Sequence, residues 1–579
     1  MSSSDNPSPA VTPVTDGTWT PVGTETPGRS KPSSVVLTDQ TNLLPFNKVI
    51  VVFLSLSLCI LVSTLDSTIV ATALPSVAAA FNAGSIISWV PSAYLLTSTA
   101  FQPLYGRFSD IFGRKATLCL AMGIFMLGSL LSGFAKSIIA LIIFRGLAGA
   151  GGGGIVSIVQ IVMSDVVSLR ERGKYQGIIG GFSALGFGVG PLIGGALAEK
   201  VSWKWCFWFT IPISALAVAV VIFVLPLKAV QGDFIRKLMV VDYLGVILTL
   251  GGCAMVMLPL IWGGVTFPWD SAVILAPLCC GAIVVLLFCL WEWKGARLPI
   301  VPMHIFKHVT VCGVNIAMFI NGIVFYSYLF YLPQFFQVAL AYSPIRSGVF
   351  LLPALVTQTL GSFISGQIVS KTGHYRMIIY IGFSVLSVGC GCLSTVNPST
   401  RKGLLVFYML MTGSGAGMTL QTTTVAAQAS VARQDMSVVT AMRNFVRLLG
   451  GTLTLAIGAT TINNALRHSM SKLGLPNSAI TRIVDDPSIL ANRFNTSSNP
   501  LGDMGVTPAA VDQIIAGYTS GFRTVFILNA CLAALASIVS ILMIRHKELT
   551  RPDEEQLKAQ AKEIYDIEKR NRKEAAGRA

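Results

Sequence analysis

The stretch GIIGGFSALGFGVGPLIGGALAE, Gly177–Glu199, decides what kind of fold this chain can have. It is apolar enough for a helix, yet it contains eight glycines and one proline. In water, each interior glycine destabilises a helix by about 1 kcal/mol, and an interior proline by about 3 kcal/mol. Residues 178–198 also carry no Asp, Glu, Lys or Arg. A helix with this composition needs surroundings other than water.

Long charge-free segments recur along the whole chain. Of the 579 residues, 53% are hydrophobic and 12% are charged, and the mean hydropathy is +0.69. Soluble domains carry roughly 25% charged residues. The charge-free segments are 49–65, 67–106, 116–135, 146–164, 178–198, 205–227, 243–269, 271–291, 309–345, 347–370, 377–400, 403–432, 448–466 and 524–544. Because a spanning helix needs about 20 mostly apolar residues, most of these segments predict one membrane span each.

Charge clusters and Gly/Pro turns divide the chain into fourteen predicted spans. They lie near 47–73, 86–106, 115–134, 137–164, 174–198, 203–226, 241–263, 271–291, 309–332, 345–369, 376–396, 403–430, 440–463 and 521–544. The predicted fold class is an all-α integral membrane protein. Residues 46–227 and 309–545 each supply six spans, and 241–291 supplies two extra spans between them. Gly106 and Gly113 recur in spacing at Gly366 and Gly373, and such repeated halves are common in transporters.

The charges of the loops predict the orientation of the chain. If both termini are cytoplasmic, most Lys and Arg fall on inward loops, among them Arg107, Arg376, Arg433 and Arg443. Topology therefore accounts for the net charge of +16, and no nucleic-acid partner is predicted.

Three segments are predicted to lie outside the bilayer. Residues 1–45, rich in Ser, Thr and Pro, are expected to form a disordered cytoplasmic tail, and 546–579 a charged cytoplasmic tail. Residues 464–520 are the one large outward loop, where Asn495 begins a glycosylation pattern. The eleven cysteines lack metal-ligand spacing and are interpreted as packing residues, so no metal or cofactor is predicted.

Two ionisable residues fall inside spans rather than loops. Asp66 lies in the outer half of the first span, and Arg145 lies about a third of the way into the fourth. Charges at such depth cost a few kcal/mol and usually face an aqueous cavity or a partner. We interpret Asp66 as a proton-binding carboxylate and Arg145 as the residue that tunes or relays its proton. The alternative is that both residues lie near an interface and only extend toward water.

The segment Gly106–Lys115 is interpreted as a cytoplasmic latch in a loop. Gly106 and Gly113 allow a tight turn, Asp110 can pair with a neighbouring cation or a helix end, and Arg114 and Lys115 anchor the cytoplasmic side. The alternative is a static topology anchor.

The opening stretch fits a spanning helix, because glycine is tolerated in lipid and lets helices approach closely. Pro191 adds a kink. We interpret the segment as a tightly packed gating helix, with simple packing as the alternative.

The same stretch resembles a known family pattern. Six positions at fixed spacing form the pattern G-x8-G-x3-G-P-x2-G-G. This pattern is similar to the antiporter motif of the drug–proton exchangers of the major facilitator superfamily. The six positions are Gly177, Gly186, Gly190, Pro191, Gly194 and Gly195. Gly106–Lys115 resembles the superfamily's loop between spans two and three, Phe144–Gly151 its fourth-span Arg motif, and Leu65–Pro75 the first-span motif of the fourteen-span branch. Further matches are Trp203–Pro212, Tyr331–Gln337, and Ser347-Gly348 with Leu352-Pro353, and the last two are similar to fungal members in particular. Lys204 and Thr210 depart from the family pattern, where Arg and Asn are usual.

The resemblance covers roughly residues 45–545. It implies two six-helix bundles plus two extra central spans, and proton-driven export of amphipathic compounds by alternating access. Polar residues within the spans are candidates for the cavity lining, with interhelical hydrogen bonding as the alternative role. These candidates are Gln102, Gln160, Asn321, Gln334, Gln337, Gln358 and Gln421, with Asn315 and Tyr326 beside them.

The predicted function is a monomeric, proton-coupled exporter of drugs, toxins, secondary metabolites or glycolipid-like compounds in the cell membrane. The rival within transport is a vacuolar-membrane transporter of basic amino acids, which would need a further buried acidic residue. A receptor would explain the spans but not the antiporter pattern. No catalytic spacing and no G-x4-G-K-[ST] loop occurs, so neither an enzyme nor an ATP-driven pump is predicted.

Overall fold

The computed structural model describes residues 46–81, 86–87, 89–224, 233–264, 267–485, 489–490, 506 and 508–549, with the isolated residues 556, 559 and 563. Within these residues the chain folds into helices and turns. The first ten helices are α1 (Phe46–Phe81), α2 (Trp89–Phe112), α3 (Arg114–Gly133), α4 (Ile138–Val166), α5 (Arg172–Lys200), α6 (Trp205–Trp208), α7 (Thr210–Val224), α8 (Phe234–Val240), α9 (Tyr243–Trp262) and α10 (Ala272–Lys294). The remaining helices are α11 (Val309–Val338), α12 (Pro344–Thr372), α13 (Arg376–Leu393), α14 (Lys402–Ala429), α15 (Met436–Lys472), α16 (Asn477–Asp485) and α17 (Pro508–Met543).

Thirteen of the described helical segments are long and apolar enough to cross a membrane, with α6 and α7 together forming one of them. Helix α2 is not among the thirteen because uncharged polar residues, such as Ser98, Thr99 and Gln102, lower its hydropathy even before Arg107 is reached. Its 24 residues nevertheless extend over about 36 Å, more than the thickness of the hydrocarbon core. With α2, the count reaches the fourteen spans expected from the sequence.

Several helices extend beyond the predicted spans by more than one turn. Helix α1 continues to Phe81, α15 covers Met436–Lys472, and α17 begins at Pro508 rather than near 521. Helix α16 in the large loop was not predicted. It forms because Ile480, Ile483 and Val484 lie on one face and are buried.

The helices pack in two sets, which contact each other mainly through two helix pairs. In the first set, α1 packs on α5 and α7, and α4 packs on α2 and α3; in the second set, α11 packs on α15 and α17, and α14 packs on α12 and α13. The two sets meet mainly where α5 packs on α12 and where α2 packs on α15. Helices α9 and α10 pack on each other, and α9 also contacts α2 and α15. That residues 46–227 and 309–545 move as separate bundles stays a prediction.

Two predictions lie outside the described residues. They are the disorder of residues 1–45 and the glycosylation of Asn495. The tail 546–579 is described only to residue 549 and at three isolated positions beyond it.

Candidate functional site

The structure brings together the two charges that the sequence placed inside spans. Asp66 lies on α1 and Arg145 on α4, and Arg145 Nη1 donates to Asp66 Oδ2 at 2.8 Å. The two side chains are 0% and 1% exposed, so the ion pair is shielded from solvent. Each of the two charges therefore has a buried partner in the other.

Aromatic rings hold the guanidinium from two further sides. The Arg145 guanidinium carbon lies 4.5 Å from the centre of the Tyr94 ring and 5.5 Å from that of Phe207. Such cation–π contacts contribute about 2 kcal/mol or more when they are desolvated. Arg145 therefore keeps favourable contacts even when the carboxylate beside it loses its charge.

The ion pair is incompletely satisfied. Within the described part of the chain, Asp66 Oδ1 and Arg145 Nε are buried and have no hydrogen-bond partner. Buried polar atoms without a partner are rare and point to a functional reason or to water. The free Oδ1 is the atom to which a proton can add without first breaking a hydrogen bond.

The glycines of α5 lie against the turn of α1 that carries Asp66. A Cβ at Gly190 would be 3.1 Å from Thr68 Cβ and 3.2 Å from the Leu65 carbonyl oxygen, and one at Gly186 would be 3.0 Å from the Leu65 nitrogen. Thr68 Oγ1 also donates to the Gly186 carbonyl at 3.3 Å. Glycine is needed here because the two backbones are in contact.

The other end of α5 makes the same kind of contact with the second helix set. A Cβ at Gly177 would lie 2.8 Å from Phe363 Cα, and one at Gly173 would lie 3.2 Å from Gly366 Cα, both on α12. Helix α5 is thus in backbone contact with α1 at one level and α12 at another. Gly195 differs from the others, since a Cβ there would meet nothing within 4 Å. Gly194 accepts a hydrogen bond from Cys206 Sγ at 3.6 Å.

The predicted loop Gly106–Lys115 is mostly helix. Helix α2 continues through Arg107 and Asp110 to Phe112, only Gly113 separates it from α3, and Arg114 begins α3. Gly113 has φ 95°, a conformation that favours glycine. The charges at this junction pair with one another at i,i+3 and i,i+4 spacing. A hydropathy average does not count such pairing.

These charges form a buried network at one end of the helices. We call this end, which comprises residues 107–115, 165–172, 370–376 and 428–437, the basic end. Arg114 donates to Asp110 Oδ1 at 2.5 Å and to Asp165 Oδ2 at 2.7 Å. Arg107 Nη1 lies 3.6 Å from Asp110 Oδ2. Lys115 donates to the Ile222 carbonyl at 2.6 Å.

The network at the basic end reaches across to the second helix set. Ser437, the second residue of α15, donates to Asp110 Oδ2 at 2.7 Å, and a Cβ at Gly106 would lie 2.7 Å from Ala441 Cβ. Arg172 of α5 donates to Gln428 Oε1 of α14 at 3.1 Å. Asp110 therefore joins α2 to α15, as a conformational latch requires.

We expect Asp110→Ala to slow the transport cycle by at least about tenfold and to leave substrate binding within about twofold. Hydrogen bonds to charged groups contribute about 1.5–3 kcal/mol, and those of Asp110 lie between helix ends rather than at a central site. The measurement is transport rate against substrate concentration in reconstituted vesicles. Asp512→Ala is the matched control, because Asp512 is an exposed carboxylate in the first turns of α17, outside the basic end. A variant with weaker binding but an unchanged maximal rate would contradict the latch.

Six of the seven predicted cavity residues divide into three groups, and the seventh, Asn321, donates to Thr419 Oγ1 at 3.0 Å. Gln160 and Gln358 accept hydrogen bonds from Asn444 Nδ2 at 3.0 Å and from Tyr328 at 2.5 Å. In the described residues, both amide atoms of Gln102 and the Oε1 of Gln421 are buried without a partner. Gln334 is exposed and Gln337 half-buried, near the end of α11 that is remote from the basic end.

Two arginines inside the second helix set were missed. Arg443, assigned above to a loop, is the eighth residue of α15 and is 1% exposed; its guanidinium donates to Leu420 O and to Thr423 Oγ1. Arg447 lies one turn further along and donates from Nε to Asn321 Oδ1 at 3.0 Å. The sequence could have shown both arginines, since each is a charge inside the predicted span 440–463.

Known proteins resemble the chain over most of its length. The family model described as Major Facilitator Superfamily matches residues 56–455. The efflux pump dotC of Dothistroma septosporum is 34% identical over 511 residues, covering 88% of this chain and 86% of that protein. Citrate exporter 1 of Yarrowia lipolytica is 33% identical over 541 residues, covering 93% and 78%. The solved structure of the proton:xylose symporter XylE has a TM-score of 0.56 at 13% identity, covering 89% and 99%, which is a likeness of fold alone.

Proposed function

The chain belongs to the Major Facilitator Superfamily and is a membrane transporter rather than an enzyme, and we propose that it exports amphipathic small molecules in exchange for protons. Two of its relatives, an efflux pump and a citrate exporter, support export of organic compounds. The observation that carries the proton coupling is the Asp66–Arg145 pair, because a buried carboxylate with one free oxygen can take up and release a proton.

The proposed cycle begins with the proton on Asp66. Protonation removes the charge that pairs with Arg145 over 2.8 Å, and the guanidinium then rests on the Tyr94 and Phe207 rings. This change occurs at the turn of α1 against which Gly186 and Gly190 pack. A shift of α1 is therefore passed to α5 through Thr64, Thr68 and the backbone of Leu65.

Helix α5 carries the change to the second helix set. Gly173 and Gly177 lie against α12, so α5 cannot move at Asp66 without moving against α12. Pro191 removes the backbone donor that would bond to the Phe187 carbonyl, which leaves α5 easier to bend at this level. The Asp110 network would hold the basic end closed in one state, and its bonds would break in the other state so that this end opens.

The proposal includes a location and a topology. Both termini and the basic end face the cytoplasm in the cell membrane, residues 464–520 face outward with Asn495 as a glycosylation site, and the protein acts as a monomer. The positive-inside rule supports the orientation. The vacuolar membrane is the alternative location, tied to the rival substrate class of basic amino acids.

The function can be tested in yeast cells that lack their own major efflux pumps. We expect the protein to lower the cellular content of at least one of three amphipathic dyes, anionic fluorescein, neutral Nile red and cationic rhodamine 6G, in a protonophore-sensitive manner. Gly190→Leu, expected to be inactive, serves as the control for expression. Export of none of the dyes, together with arginine uptake into isolated vacuoles, would favour the rival function.

A further inference from the structure

The centre of the second helix set carries positive charge without a matching negative charge. Among the described residues, no carboxylate forms an ion pair with Arg443 or Arg447. Arg114 and Arg145, by contrast, each pair with a carboxylate. Burying a cation without a counterion is costly, so an uncompensated pair one helical turn apart calls for an explanation.

Both arginines lie inside the predicted span 440–463. Counted from Met436 at the basic end, Arg443 and Arg447 lie about 10 Å and about 16 Å along α15. Arg447 is therefore about a third of the way into that span, at the same relative depth as Arg145 in the fourth span. A charge at such depth usually faces an aqueous cavity or a partner.

The two arginines have different surroundings. Arg443 is closed in: its donors are met by the Leu420 carbonyl, Thr423 Oγ1 and, from Nη1 at 2.9 Å, Asn444 Oδ1. Arg447 is half-buried, and within the described residues only its Nε donates a hydrogen bond. Its two Nη groups have no acceptor there, although they form the fork that matches a carboxylate.

Aromatic rings flank the free side of Arg447. Its guanidinium carbon lies 4.5 Å from the centre of the Phe325 ring and 5.9 Å from that of Tyr326. The Phe325 ring in turn packs on Phe187 of α5, with ring centres 5.8 Å apart. The fork of Arg447 thus lies beside an apolar contact between the two helix sets, where α5 is proposed to move.

We propose that Arg447 binds the anionic group of the substrate, and that the substrates are carboxylate-bearing amphiphiles whose apolar body lies against Phe325 and Phe187. Arg443 adds a second positive charge one turn away, and Asn321 orients the Arg447 fork through Nε. This assignment rests on the proposed function, since it names the substrate class of the same transporter. It also disfavours basic amino acids, whose charge these arginines repel.

The test is equilibrium binding of three probes of one shape and different charge to the purified full-length protein in lipid nanodiscs. The probes are 2-naphthoate, 2-naphthamide and 2-naphthylmethylammonium. We expect naphthoate to bind at least about tenfold more tightly than the amide, a difference of about 1.4 kcal/mol, and the ammonium probe to bind most weakly. Naphthoate that binds no better than the amide, or does not bind, would overturn the proposal.

Variants of Arg447 test whether its guanidinium group causes the preference for naphthoate over naphthamide. Arg447→Gln should bring the ratio of naphthoate to naphthamide affinity close to one, and Arg447→Lys should keep part of the preference through its charge. The matched control is Arg346→Gln, which removes an exposed arginine lying 4.2 Å from the Tyr342 ring centre and should keep the full preference. An Arg447→Gln protein that retains the preference would also overturn the proposal.

A second variant covers the case in which Arg447→Gln does not fold. Asn321→Asp keeps the side-chain shape and places a carboxylate oxygen beside Arg447 Nε, so it should abolish the preference by supplying a counterion. These binding measurements use no proton gradient. A missing charge preference therefore leaves proton-driven export standing, whereas export without proton coupling would refute the proposed function alone.

Discussion

Asp66→Asn is expected to abolish proton-driven accumulation of substrate while leaving substrate-for-substrate exchange intact. The amide has the shape of the protonated carboxyl group but cannot exchange a proton. Arg145 remains held by Tyr94 and Phe207, so the variant should fold. The measurement compares two fluxes in reconstituted vesicles: uptake driven by a pH gradient, and exchange of labelled for unlabelled substrate without one.

The controls for this variant separate charge from position. Asp512→Asn removes an exposed carboxylate on α17 and should leave both fluxes unchanged. Arg145→Ala leaves Asp66 buried without a cation, so the carboxyl group should keep its proton and the coupling should again be lost. Gradient-driven uptake at the wild-type rate by Asp66→Asn would show that the proton binds elsewhere.

Gly190→Leu is expected to stop transport. Even a Cβ at this position would lie 3.1 Å from Thr68 Cβ and 3.2 Å from the Leu65 carbonyl oxygen, so a larger side chain must push α5 away from α1. Overpacking of this kind typically costs about 1–3 kcal/mol, which is enough to repopulate states separated by a few kcal/mol. Transport rate per correctly delivered protein is the measurement.

The same helix offers the control for Gly190→Leu. Gly195 belongs to the same motif, but a Cβ there meets nothing within 4 Å, so Gly195→Leu should transport normally. Pro191→Ala restores a backbone donor with little steric change and should slow transport or allow protons to leak. Equal activity of the Leu variants at both glycines would mean that close contact between α5 and α1 has no role in the cycle.

The sequence predicted the parts of the site that depend on single residues in an apolar setting. Asp66 and Arg145 stood out because a charge inside a charge-free segment needs a partner, and each is the partner of the other. The glycines of α5 stood out because only close helix packing explains so many of them. In both cases the signal lies in the local sequence.

The parts that sequence reasoning missed depend on distant partners. Arg107 and Asp110 were assigned to a loop because hydropathy counts each charge alone, whereas their network includes Asp165 of α4 and Ser437 of α15. Arg443 was also assigned to a loop, although it falls inside the predicted span 440–463; what the sequence could not show is that its acceptors, Leu420 and Thr423, lie on another helix. A local pattern cannot show that a charge is satisfied from about 20 residues away.

The protein is proposed to move protons and substrate in opposite directions across the membrane. The most direct measurement uses purified protein in vesicles that trap a pH-sensitive dye, with the amphipathic probe that is exported best from cells. Addition of the probe to wild-type vesicles should move protons in the opposite direction to the probe, and a pH gradient should accumulate the probe against its concentration gradient; Asp66→Asn vesicles should do neither. Probe transport that is equally fast with and without a pH gradient, and that moves no protons, would contradict the account.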